Sequence, residues 1–150
     1  MIAARVAVSG SPAGCTPTQL TTLRDVLLEL VREGTWELHI ADTHGVTADA
    51  HAFWRACRQR IVTHPSRGDA ERAHLDHDET RPSLPLRERT LGLVSQCEAL
   101  VHVTTPDENY LESGVVGAAR RRGLAIIIIL PTGCVRQWTH GMAPIMETPA

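Results

Sequence analysis

The sequence predicts an α/β fold of the Rossmann-like kind, three layers α/β/α around a parallel five-stranded sheet. Two apolar runs carry that reading, Ala-Leu-Val-His-Val at 99–103 and Ile-Ile-Ile-Ile-Leu at 126–130. A helical pattern opening at Glu112-Ser113-Gly114 separates them, so they cannot pair as a hairpin and are expected as parallel strands of a right-handed crossover. The second run shows no polar alternation, as expected of a strand covered on both faces. Upstream, the chain alternates strand and helical patterns from its beginning.

In order, Arg5 to Ser9 reads as a strand and Gly10-Ser11-Pro12-Ala13-Gly14 as a turn-rich loop. Thr16-Pro17-Thr18-Gln19 has the capping-box pattern, with Thr16 as N-cap, Pro17 at the first helical position and Gln19 reaching back. Leu20, Leu23, Leu27, Leu30 and Val31 recur at three and four, and Gly34 supplies the stop. Glu37 to Ala41 is a second strand. From Ala48 a second helix is expected, with Ala52, Phe53, Ala56 and Cys57 on one face, and Ile61-Val62-Thr63 is a third strand ending at His64-Pro65. Residues 65–85 are polar and proline-bearing, a long surface connection. Such a connection suits a chain returning to the other side of the first strand, which gives an expected strand order of 3-2-1-4-5 with the switch point between the first and fourth strands. Leu86 to about Cys97 is a short helix with Leu86, Thr90, Leu93, Val94 and Cys97 inward. Strand 99–104, a turn at Pro106–Asn109, a helix from about Ser113 to Arg122 and strand 125–130 complete a domain over 1–131. Residues 132–150, rich in Pro and Gly, are expected as a loosely ordered tail.

At 150 residues the chain suits one domain with one core. A net charge of -2 gives no electrostatic case for nucleic acid or an anionic membrane. All 15 basic residues are Arg. No run approaches the ~20 apolar residues of a membrane span, and the start, Met-Ile-Ala-Ala-Arg-Val-Ala-Val, enters a strand pattern directly, so a cytoplasmic location is the expectation. Cys15, Cys57, Cys97 and Cys134 form no CxxC pair and read as free thiols. His74, Asp76, His77 and Asp78 lack zinc-ligand spacing and read as hydrated surface. No metal and no cofactor is implied.

The loops at 10–16, 42–47 and 105–114 should converge at the carboxyl edge of the sheet. Helix starts there offer unpaired N–H groups and partial positive charge to a phosphate, and Gly10, Gly45 and Gly114 permit close backbone approach. Arg87 and Arg89 have forked donors for an anion. His44 stands at the same edge and is an expected ligand contact. His102, mid-strand, reads as a core histidine. Ser9, Ser11 and Ser113 have no His or Asp partner evident in the sequence, so a nucleophilic triad is not supported at this level.

The order of these features from Val6 to Pro131 resembles the SLOG superfamily, Rossmann-like domains related to Lonely-Guy phosphoribohydrolases, the DNA-processing protein A and nucleoside deoxyribosyltransferases. Ser9-Gly10-Ser11 stands where members carry Thr-Gly-Thr/Ser-Arg, with Pro12 in place of the Arg. Asp42 to Asp49 stands at their Asp- and Gly-containing loop, Arg87 and Arg89 at their Arg-containing helix start, and Ser113-Gly114 at Ser-Gly-Thr, with Val115 for Thr. The resemblance implies a nucleotide or nucleotide-derived ligand, its phosphate on the helix starts at Gly10 and Gly114 with Arg87 or Arg89 and a ribose hydroxyl on Asp42, with Ser11 and Ser113 among the ligand-binding positions. Glycosidase branches place a Glu four residues after the Gly of their Gly-Thr motif, where this chain has Ala118. Glu112 is then the candidate catalytic carboxylate. Its alternative role is to favour the helix N-terminus by ~0.3–1 kcal/mol. The leading expectation is a small-molecule sensor or carrier; the alternatives are an N-glycosidase or phosphoribohydrolase, and a scaffold acting through a protein partner. Apolar residues on the outer helices are compatible with a homodimer.

Overall fold

The computed structural model describes residues 3–67, 72–138 and 146–148. The elements are β1 (Arg5–Gly10), α1 (Pro17–Glu33), β2 (Glu37–Ala41), α2 (Val46–Ala56), β3 (Arg60–His64), β4 (Glu79–Thr80), α3 (Leu86–Ser95), β5 (Ala99–Val103), a 3-10 turn (Tyr110–Glu112), α4 (Gly114–Arg121), β6 (Ala125–Ile129), β7 (Val135–Trp138) and β8 (Met146–Thr148). They build one sheet in the order β4-β3-β2-β1-β5-β6-β7-β8. β4 to β6 pair in parallel, and β7 and β8 are antiparallel.

The α/β, Rossmann-like class is therefore observed, but the sheet has eight strands rather than five, and its order is correspondingly longer than 3-2-1-4-5. β4 lies inside the stretch expected as an open connection. Glu79 is fastened by charge, accepting from Arg60 at 2.7 Å and meeting Arg81 at 2.5 Å, and Thr80 accepts from the Thr63 hydroxyl at 2.9 Å. β7 and β8 occupy the stretch expected as a loose tail. β7 is anchored by buried Val135 and Trp138, and the Trp138 ring meets Tyr110 edge-on at 5.8 Å. The rest of that stretch, 139–145 and 149–150, lies outside the described residues.

Alternation along the strands gives the sheet two different faces. Val6, Val8, Leu38, Ile40, Ile61, Val101 and Ile129 pack with Leu23 and Leu27 of α1 and Val46, Ala50 and Trp54 of α2. Ala7, Leu100, Ile126 and Ile128 pack with Leu93 and Val94 of α3 and Val116, Ala118 and Ala119 of α4. The buried face of α2 is thus Val46, Ala50 and Trp54, while the expected Ala52 and Ala56 are exposed. The helix begins two residues earlier than its pattern suggested, and Trp54 brings far more apolar area than either alanine. Leu86 is likewise exposed rather than inward.

The start of α1 does more than begin a helix. Thr16 and Gln19 form the reciprocal capping box, and Gln19 Nε2 also donates to the Thr104 carbonyl at 2.7 Å. One side chain thereby ties the loop after β1 to the loop after β5. Gly34 ends the helix at φ 111°, where its N–H reaches the Leu30 and Val31 carbonyls.

Candidate functional site

Parallel pairing of β1 with β5 leaves a crevice where the chain departs in opposite directions, and a cavity of about 650 Å³ opens there. Ser9 to Pro12 form one wall, Ser113 to Val115 at the start of α4 another, and Leu86, Arg89, Thr90 and Leu93 of α3 a third. Ala41, Thr43 and Thr47 close the side toward β2, and His102 and Glu108 the side toward β5.

Of the residues expected to hold a ligand or act on it, Gly10, Ser11, Arg89, Ser113 and Gly114 meet at this cavity. The others are placed elsewhere. Asp42 is buried, its carboxylate accepting from Arg72 Nε and the Leu75 N–H at 2.8 Å each, so it tethers the connection after β3. His44 and Arg87 are exposed and do not line the cavity. Gly45 holds two loops together: at φ 83°, a Cβ there would lie 2.3 Å from the Ser11 carbonyl oxygen. Gly10 is tight for a related reason, since its Cβ would lie 2.7 Å from Val46 Cβ. Asp49 also serves the loop, accepting the Cys15 N–H at 3.1 Å. Glu112 is exposed on the 3-10 turn and is not among the lining residues.

Sequence reading missed the polar centre of the cavity. Ser9 and His102 are register partners on adjacent strands, with Ser9 Oγ 2.7 Å from His102 Nδ1. His102 Nε2 lies 2.5 Å from Glu108 Oε2, and Glu108 Oε1 accepts the Thr105 N–H at 3.3 Å. A carboxylate only accepts, so Nε2 of a neutral His102 carries the proton and Nδ1 is left to accept from the Ser9 hydroxyl. The result is a directed relay, Ser9 to His102 to Glu108, whose hydroxyl end faces the cavity. The available signal was modest. Ser9 and His102 are each a polar residue near the carboxyl end of an otherwise apolar strand, and Glu108 follows six residues later.

A second relay lies on the same sheet face. Glu37 Oε1 accepts from His39 Nε2 at 2.6 Å, and His39 Nδ1 lies 2.8 Å from His64 Nε2. By the same logic His64 donates to His39 and His39 donates to Glu37. All three are buried, at 7%, 0% and 3% exposure. Burial, then the neighbouring His39, Arg81 and Arg89, pushes His64 down to about 3. Burial also lowers His39, against the opposing pull of Glu37.

Two of the thiols, Cys15 and Cys97, are poor nucleophiles. Burial, with Asp49 beside it, pushes Cys15 up to about 12, and burial raises Cys97 as well. Neither lines the cavity. Among the described residues, no helix is long and apolar enough to cross a membrane.

No protein-family model matches the sequence, and no curated protein does. The chain is similar to the crystal structure of TM1055, a structural-genomics target. The two share 18% identity at a TM-score of 0.57, over 81% of this chain and 71% of that one. That likeness shows a shared α/β fold.

Proposed function

We propose that the chain binds a nucleotide or nucleotide-derived small molecule at the carboxyl edge of its sheet, as a sensor or carrier. The observation that carries this reading is the cavity itself, about 650 Å³ at the β1–β5 switch point, with loop 9–12, the start of α4 and Arg89 around it. That volume falls within the range of small-molecule sites. Arg89 and the opening N–H groups of α4, which has no side-chain cap, suit an anionic group. Val8, Leu93 and Val115 offer apolar surface to a flat base. With Asp42 engaged by Arg72 and Leu75, and the Thr43 and Thr47 hydroxyls bonded to each other, the ribose falls to the Ser11 hydroxyl, which accepts the Ala13 N–H and keeps its own hydrogen to donate.

The N-glycosidase alternative needs a carboxylate beside the ribosyl centre. Glu112 is outside the cavity, and Glu108, which is inside it, is held by His102. Binding without turnover of the glycosidic bond is therefore the reading we favour.

The test is to incubate the purified protein with nucleoside monophosphates, deoxynucleotides and ADP-ribose-type compounds. Native mass spectrometry reads bound ligand and chromatography reads released base. Stoichiometric, unaltered ligand is the expected result. Enzyme-dependent release of free base establishes the glycosidase instead, and neither binding nor release leaves the scaffold reading.

A further inference from the structure

We propose that Ser9 is a nucleophile, with His102 as its general base and Glu108 as the orienting carboxylate, acting on a carboxylic ester seated in the cavity. The proposal stands apart from the nucleotide reading, since it requires only that an ester reach Ser9. Three observations carry it. The hydroxyl, imidazole and carboxylate form one continuous hydrogen-bonded chain at 2.7 Å and 2.5 Å. All three residues line a cavity large enough for a small molecule. The uncapped start of α4 lines the same cavity and offers the N–H groups of Gly114 and Val115 for a developing oxyanion, the Ser113 N–H being given to the Tyr110 carbonyl.

The ring is used in the opposite sense from serine proteases, where Nε2 meets the serine. Proton accounting is the same, because the nitrogen facing the carboxylate carries the proton and the other receives one. Ser9 Oγ attacks the ester carbonyl carbon, forming a C–O bond while the carbonyl electron pair moves onto oxygen. The Ser9 proton passes to His102 Nδ1. The resulting imidazolium lies against Glu108. Collapse of the tetrahedral intermediate breaks the bond to the alcohol oxygen, which takes the proton from Nδ1 and leaves as the alcohol. Water then attacks the acyl-Ser9 carbonyl, gives its proton to Nδ1, and releases the acid as Ser9 regains its hydrogen. Ester and water become acid and alcohol, with no oxidant, reductant or further co-reactant.

The ligand class follows from the walls. Val8, Pro12, Leu86, Leu93 and Val115 favour a short apolar acyl or alkoxy group beside the polar centre. Glu108 has a side chain 24% exposed, so it is reached from the cavity and is not locked in the core.

Two probes test the proposal on the full chain: a fluorophosphonate, read by intact mass and peptide mapping, and p-nitrophenyl acetate, read by released nitrophenolate. The expected result is one phosphonate on Ser9, with fluoride displaced, and ester hydrolysis that falls by roughly 100-fold or more in Ser9→Ala and His102→Gln. Glu108→Gln should fall by roughly 10-fold or more in both rates, a loss set by the wrong tautomer rather than by unfolding. Because His102 is buried, Glu108→Gln with an unchanged circular dichroism spectrum is the deciding variant if His102→Gln fails to fold. Ser95→Ala, at the exposed end of α3, should react as wild type. No adduct, an adduct on another residue, or full rates in Ser9→Ala or Glu108→Gln would overturn the proposal. Nucleotide binding by a protein whose Ser9 is inert would overturn it too, while leaving the binding reading standing.

Discussion

The two carboxylate–histidine relays lie on the same face of one sheet and differ in how they end. In the Glu37–His39–His64 relay the third member is another buried imidazole, and Arg60 holds the carboxylate from the far side at 2.9 Å. In the Glu108–His102–Ser9 relay the third member is a hydroxyl at the edge of a cavity. The first has both ring nitrogens of His39 engaged and all three members buried, so its role is cohesion. The second has the same directed protons but a reactive end. Burial without access makes a structural element, whereas burial with access makes a candidate site.

The largest expected difference appears in acid. His64 is held neutral in the fold down to about pH 3, whereas an unfolded histidine binds its proton near 6.5. Between those limits the unfolded chain carries a proton that the folded chain refuses. Stability therefore is full above about pH 6.5 and falls as pH drops toward about 3, with a slope approaching about 1.4 kcal/mol per pH unit. The lowered His39 acts in the same direction. Urea midpoints across that range should show the slope, and His64→Gln, which keeps a donor toward His39 but cannot titrate, should flatten it.

Removing the carboxylates should separate the relays next. Glu37→Ala leaves the His39 N–H buried without its acceptor and should cost about 2–3 kcal/mol in chemical denaturation. A smaller effect, about tenfold in Kd, is expected for Arg89→Ala on an anionic nucleotide, against no change for Arg87→Ala. Titration calorimetry distinguishes the two, because only Arg89 reaches the cavity. The smallest effect is on stability in Glu108→Ala, within about 1 kcal/mol, since water entering the cavity can replace its carboxylate. Equal stability losses in Glu37→Ala and Glu108→Ala would remove the distinction between the relays.

Local chemistry was legible where it was contiguous in sequence. Thr16-Pro17-Thr18-Gln19 announced its helix because all partners of a capping box lie within one turn. The continuous isoleucines announced a strand buried on both faces. The phase of α2 was harder to read, because small alanines fit either face until Trp54 settles which one is buried. β7 escaped because four residues between glycines and prolines carry little periodicity, and its pairing with β6 is set by tertiary packing. The cavity residues divide in the same way. Gly10, Ser11, Ser113 and Gly114 follow from where βα loops must lie, whereas Ser9 and His102 are 93 residues apart and meet only through strand register. Asp42 shows the converse: a carboxylate at the expected edge whose oxygens turn instead to Arg72 and Leu75.

The measurement that tests the central claim most directly is amide chemical-shift mapping of the full chain titrated with the tightest nucleotide from the binding panel. Saturable shifts concentrated at Gly10, Ser11, Arg89, Ser113 and Gly114 are expected, with His44 and Arg87 unmoved. Shifts confined to other surfaces, or none at millimolar ligand, would contradict a nucleotide site at the β1–β5 switch point.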